Sequence, residues 1–229
     1  MSDETPLLPD AVEVAPQGEH RWSVIWLHGL GADGHDFEPI VPELRLPDGH
    51  GVRFLFPHAP QRPITIHEGA PARAWFDIAD PDFTTLEDKT GIRQSIALAH
   101  GLLARERDEH GIPSERILLG GFSQGAAIAL AAGLRYPERL GGIVALSGYL
   151  PMGVTFKDDL DPANQDTPIF QAHGSQDEII AESQGEKSRD EIAAVRPGPE
   201  WHSYPMAHGV CAEEIQDLAT WLKETVGVQ

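Results

Sequence analysis

The sequence predicts one doubly wound α/β domain, with a mostly parallel sheet and helices on both faces. Three observations predict it. Apolar runs of strand length alternate with segments of helical period along the whole chain. Several of those runs are continuously apolar, as parallel strands covered on both faces require. The 229 residues contain no internal repeat, low-complexity tract or linker that would divide them.

The elements follow in order. Residues 1–20 are proline-rich and acidic, and are expected as an N-terminal arm or an edge strand through 11–14. The domain proper is expected over 21–229. The run at 22–27 reads as a strand that ends in the glycine-rich loop His28-Gly29-Leu30-Gly31. A short helix is expected over 36–44 and a strand over 52–56, stopped by Pro57. Residues 57–81 carry prolines at 57, 60, 63, 71 and 81 and are expected to be irregular. The segment nevertheless holds Ile64, Ile66, Trp75, Phe76 and Ile78. A long loop rich in apolar side chains packs over something or lines a pocket.

From 87 to 110 the pattern is helical, with Ile92, Ile96, Ala99 and Leu103 on one face and Gly111 and Pro113 as the stop. A buried strand over 116–120 and a helix over 126–134 follow. Further strands are expected at 142–146, 169–173 and 201–204. Polar and amphipathic helices are expected at 183–195 and 212–224, the latter with Ile215, Leu218 and Leu222 inward.

Composition narrows the classes of function. The formal net charge of −19 opposes nucleic-acid binding, which needs lysine and arginine against phosphate. It equally opposes stable association with anionic membranes. The acidic excess reads either as a solvated surface or as an adaptation to high salt. Cys211 is the single cysteine, so no intramolecular disulfide forms, which fits a reducing, cytoplasmic setting. The N-terminus has no positive region followed by an apolar core. No metal-ligand spacing, Walker motif or complete dinucleotide fingerprint is present, so neither metal nor cofactor is expected.

The most informative stretch is Gly121-Phe122-Ser123-Gln124-Gly125. Set between a strand and a helix, this G-x-S-x-G pattern holds a serine on a sharp elbow with its hydroxyl exposed. A serine needs a base to take its proton and a third group to orient that base. In this architecture such groups come from loops at the carboxyl ends of strands. Asp177 follows the strand at 169–173, in competition with Glu178 and Asp166. His208 follows the strand at 201–204, in competition with ten other histidines. His28 and His173 each precede a glycine at a strand end and are expected to shape those turns. An oxyanion hole would take the backbone N–H of Gln124 and that of Leu30 in the early glycine-rich loop.

Six motifs in order, His28-Gly29-Leu30-Gly31, Trp75-Phe76-Asp77, Gly120 to Gly125, Leu146 to Pro151, His173-Gly174 with Asp177, and Met206 with His208 and Cys211, carry a family resemblance. The chain from about Trp22 onward resembles the small carboxylesterases and acyl-protein thioesterases of the α/β-hydrolase fold. The resemblance implies Ser123 as nucleophile, His208 as base and Asp177 as orienting acid. It implies a pocket bordered by Trp75 and Phe76, to which Ile66 and Phe122 are assigned, and no separate lid domain. It admits a homodimer. The expected reaction is hydrolysis of short-to-medium acyl esters through an acyl-enzyme. The alternatives are a thioesterase or lysophospholipase acting on longer chains and, from another class, a non-catalytic binding protein on the same fold. Ala126, Ala181 and Ala207 depart from the family's usual residues, and they bear on loop geometry rather than on reacting groups.

Overall fold

A computed structural model describes residues 8–80, 86–153 and 156–228. The first seven residues of the expected arm, and Pro81, lie outside the described residues. Six strands run parallel: β2 (Trp22–Leu27), β3 (Val52–Pro57), β6 (Ile117–Phe122), β7 (Gly142–Leu146), β8 (Ile169–Gly174) and β9 (Glu200–Tyr204). Strand β1 (Ala11–Val14) adds antiparallel to β3, and the sheet order is β1-β3-β2-β6-β7-β8-β9. The order reverses beside β2, so the loops after β2 and β6 open next to each other at the carboxyl edge. That is where such sheets hold their ligands.

Alternation along the strands explains the layers. Ile25, Leu27, Ile117, Leu119, Ile143 and Ala145 face one core. Val24, Trp26, Leu118, Val144 and Leu146, interleaved with them, face the other. The first face is covered by α2 (Lys89–His110), α3 (Gln124–Gly133) and Ile192 of α5 (Glu182–Ala193). The second is covered by α1 (Ile40–Glu43) and α6 (Ala212–Val226). Every residue of α3 is buried, in keeping with an alanine-rich sequence that is apolar throughout after Gln124. Helix α2 starts where Asp88 accepts from the Gly91 N–H, and ends at Gly111 in the left-handed region.

Two expectations need correction. The helix over 36–44 is a single turn, Ile40–Glu43, preceded by turns. Pro42 lies in that first turn, where its missing N–H removes no helical bond. The larger correction is 57–81, which is not wholly irregular. Strands β4 (Gln61–Ile64) and β5 (Ala70–Arg73) form an antiparallel hairpin around a 3₁₀ turn at Thr65–His67. The Ala74 N–H donates to the Pro60 carbonyl, so hydrogen-bonded pairs fall at every second position from there. Pro63 and Pro71 sit opposite each other at an intervening, non-bonded pair. Neither proline is asked for an N–H, so the ribbon tolerates both. Buried Ile64 and Ala74 anchor it to the body.

Candidate active site

The site is built on the elbow between β6 and α3. Ser123 sits at the helix N-cap with φ 56° and ψ −119°, a left-handed conformation that a serine holds only when its surroundings enforce it. Its hydroxyl does not cap the helix. The two motif glycines serve close packing rather than the turn itself. A Cβ on Gly125 would lie 2.0 Å from the Leu27 carbonyl oxygen, and one on Gly121 would lie 2.5 Å from the Gly125 backbone. Helix α3 can therefore press directly onto β2 and bring the elbow beside the His28–Gly31 loop.

His208, in the loop between β9 and α6, places Nε2 2.9 Å from Ser123 Oγ. Its Nδ1 lies 2.7 Å from Asp177 Oδ2. A carboxylate only accepts, so Nδ1 carries the proton, Nε2 is the acceptor and the serine hydroxyl donates. The other oxygen of Asp177 accepts from the N–H groups of Ile179 and Ile180 at 2.8 and 2.9 Å. Asp177 is thus buried, fully bonded and fixed in direction. Of its competitors, Glu178 points to the adjoining cavity, and Asp166 precedes β8, at the opposite edge of the sheet.

Leu30 and Gln124 line the same cavity as Ser123, and among the described residues the backbone N–H of neither donates to a protein acceptor. His28 stabilises the loop that carries Leu30. Its ring bonds the Gly29 carbonyl through Nδ1 and accepts from the Ala59 N–H through Nε2. Burial pushes its pKa down, in keeping with this neutral tautomer. His173 is likewise buried with a lowered pKa, and donates from Nε2 to the Ile180 carbonyl. Both histidines shape turns.

Ser123 and His208 line a cavity of about 520 Å³. Ile66, Phe76 and Phe122 line it, as the sequence leads one to expect, and so do Ile78, Tyr149, Ile179 and Ile180. Trp75 does not, and its assignment to the pocket is corrected. Its side chain is 1% exposed and is turned into the core, where the indole N–H donates to the His28 carbonyl at 2.9 Å. A buried indole needs such a partner, and here it is the carbonyl of the residue that opens the His28–Gly31 loop.

Sequence reasoning also missed the side chain of Gln124. Its Oε1 accepts from the Trp75 N–H at 2.8 Å and its Nε2 donates to the Phe76 carbonyl at 2.7 Å. One residue thus offers its backbone to the site and staples the pocket wall with its side chain. Of the missed lining residues, Ile179 and Ile180 had a visible signal: two isoleucines in an otherwise polar post-strand loop. Tyr149 lay within the Leu146-to-Pro151 motif.

A serine elbow, an acid after one late strand and a histidine after the last, on a sheet of this order, define a serine hydrolase of the α/β-hydrolase fold. The phospholipase/carboxylesterase family matches residues 9–226, and the chain belongs to it. Acyl-protein thioesterase 1 of Yarrowia lipolytica is 38% identical over 221 residues, covering 94% of this chain and 97% of that protein. A protein of Oryza sativa subsp. japonica named a probable carboxylesterase is 33% identical, covering 94% and 82%. Among solved structures, acyl-protein thioesterase 2 of Zea mays superposes with a TM-score of 0.82 at 30% identity, covering 96% of this chain and all of that one. The chain is accordingly an ester hydrolase of the carboxylesterase type. Among the described residues no helix is long and apolar enough to cross a membrane.

Proposed function

We propose that Ser123, His208 and Asp177 carry out two-step acyl transfer on short-to-medium acyl esters. Ser123 Oγ attacks the carbonyl carbon while His208 Nε2 takes the hydroxyl proton. The N–H groups of Leu30 and Gln124 receive the developing oxyanion. His208 then gives its proton to the departing alcohol, and a water, deprotonated by the same nitrogen, releases the acid. Asp177 holds the imidazole tautomer and stabilises its cation. The observation that carries this reading is the unbroken hydrogen-bond chain from Ser123 through His208 to Asp177, at the floor of an apolar cavity. The volume of about 520 Å³ suits a small ligand rather than a lipid aggregate.

Thioester hydrolysis by the same residues is a second reading, favoured by relatives over nine-tenths of the chain that are named acyl-protein thioesterases. Ser123→Ala should lower kcat/KM for nitrophenyl esters by at least about 10³-fold and abolish labelling by a fluorophosphonate. Unchanged labelling in that variant would refute the assignment. An acyl series on paired oxygen esters and thioesters then ranks the two readings.

A further inference from the structure

Behind the acid limb of the site lies a buried group that the proton transfers do not use. His173, one residue from the end of β8, has no exposed surface. Its Nε2 donates to the Ile180 carbonyl at 2.8 Å. The same nitrogen lies 3.4 Å from Asp177 Oδ2, the oxygen that accepts from His208. Asp177 Oδ1 in turn accepts from the N–H groups of Ile179 and Ile180. These contacts close a ring. The imidazole holds the Ile180 carbonyl, the Ile180 N–H holds the carboxylate, and the carboxylate faces the imidazole again.

The surroundings of the other nitrogen fix the tautomer. A carbonyl only accepts, so Nε2 carries the hydrogen and Nδ1 is a bare lone pair. Among the described residues Nδ1 has no hydrogen-bond partner. It is packed against Gly185 of α5, where a Cβ would lie 2.5 Å from Nδ1 and 3.0 Å from the Trp201 ring. Charging the imidazole would put a second proton on this sealed nitrogen, and burial opposes that. His173 is therefore a neutral donor whose single N–H is committed to the Asp177–Ile180 turn.

We infer that His173 is a positioning residue for acyl transfer: its Nε2–H fixes the turn that aims Asp177 at His208. It touches neither the substrate nor the reacting atoms, and acts through the direction of the Asp177 carboxylate. A misdirected carboxylate leaves the imidazole free to turn away from Ser123 Oγ, and a misplacement of about 1 Å costs up to about a hundredfold in rate. The inference rests on the reading of Ser123, His208 and Asp177 as the reacting groups.

The test compares three substitutions. His173→Phe keeps a ring and removes the donor. His173→Gln carries an amide N–H to the place of Nε2, and His173→Asn is too short to reach it. Active sites are counted by fluorophosphonate titration, and turnover of p-nitrophenyl acetate is expressed per labelled site. In His173→Phe and His173→Asn, kcat per labelled site should fall by about 10–100-fold with KM little changed, and His173→Gln should recover most of the loss. A merely structural His173 would lower the number of labelled sites and leave kcat per site at the wild-type value, which would overturn the inference. So would His173→Gln performing no better than His173→Asn, or a failure of both His173→Phe and His173→Asn to give any labelled enzyme. In NMR spectra of the wild type with isotope-labelled histidine, His173 should show the Nε2–H tautomer and no titration between about pH 5 and 9. A hydrogen on Nδ1 would equally refute the inference. If the wild type is not labelled at Ser123, or Ser123→Ala retains the wild-type rate, the assignment of the reacting groups fails instead, which separates the two failures.

Discussion

Glu214 occupies the first turn of α6, three residues after the Cys211 cap, with zero exposure and neither carboxyl oxygen hydrogen-bonded. Burial pushes its pKa up from 4.5 to about 8. The Cys211 N–H pulls the other way, without making a hydrogen bond of normal geometry. The folded pKa lies above the unfolded one, so the folded chain binds the extra proton. That stabilisation is complete below about pH 4.5, and it is lost progressively as pH rises to about 8. Each pKa unit is worth about 1.36 kcal/mol, so full ionisation costs the fold about 5 kcal/mol. About 3 kcal/mol of this falls between pH 5.5 and 8.5. Glu214→Gln keeps the shape and cannot ionise. In urea unfolding, the variant's stability relative to wild type should rise by about 3 kcal/mol between those two pH values. By thermal midpoint the rise is roughly 6–12 °C for a chain of this size. All other titrating groups are common to both chains and cancel in the difference. Parallel pH profiles would show that Glu214 is ionised in the folded protein, and the reasoning would fail.

Gln124→Ala orphans the Trp75 N–H and the Phe76 carbonyl, both buried, and each should cost about 1–3 kcal/mol in an equilibrium unfolding experiment. Because Phe76 lines the cavity, KM should rise as well, whereas a purely global loss of stability would leave KM unchanged in the folded fraction. Trp75→Phe removes the bond to the His28 carbonyl and should lower stability by about 1–3 kcal/mol. Its acyl-chain profile should match the wild type. A shifted profile would return Trp75 to the pocket.

The parts of the fold that the sequence made legible are those where one local rule acts alone. The continuous apolar runs of β2, β6 and β7 are buried on both faces, and no helix of ten residues competes for them. Helix α2 is delimited by Asp88 and Gly111. The hairpin β4–β5 was not legible, because proline reads as a breaker in sequence. Its effect depends on pairing phase, and only the register of Pro63 against Pro71 reveals that phase. Trp75 failed for a related reason. An aromatic beside Phe76 reads as pocket lining, but neighbouring residues of an extended segment face opposite ways, and Phe76 took the cavity.

The proposed reacting groups were more legible than the pocket, and the cause is topological. Ser123, Asp177 and His208 each follow a strand of one parallel sheet, so their chain order and the sheet order together nearly fix where they meet. The hydrogen bonds at 2.9 and 2.7 Å add geometry to a juxtaposition already implied. The cavity wall has no such rule. Its residues come from the β4–β5 hairpin, the loop after β7 and the loop after β8, which pack together through contacts such as the Gln124 staple. Each of those contacts depends on side-chain direction, and side-chain direction in a loop is set by tertiary packing rather than by period. The elbow therefore dictates that an acyl group is transferred. The cavity that receives the substrate on this reading is lined by side chains such as Tyr149 and Ile179, whose orientation only the folded chain supplies. Ile179 is 56% exposed at the cavity mouth, a position an isoleucine accepts at a cost in solvation. On the proposed reading, a bound acyl chain that covered this side chain would recover the cost.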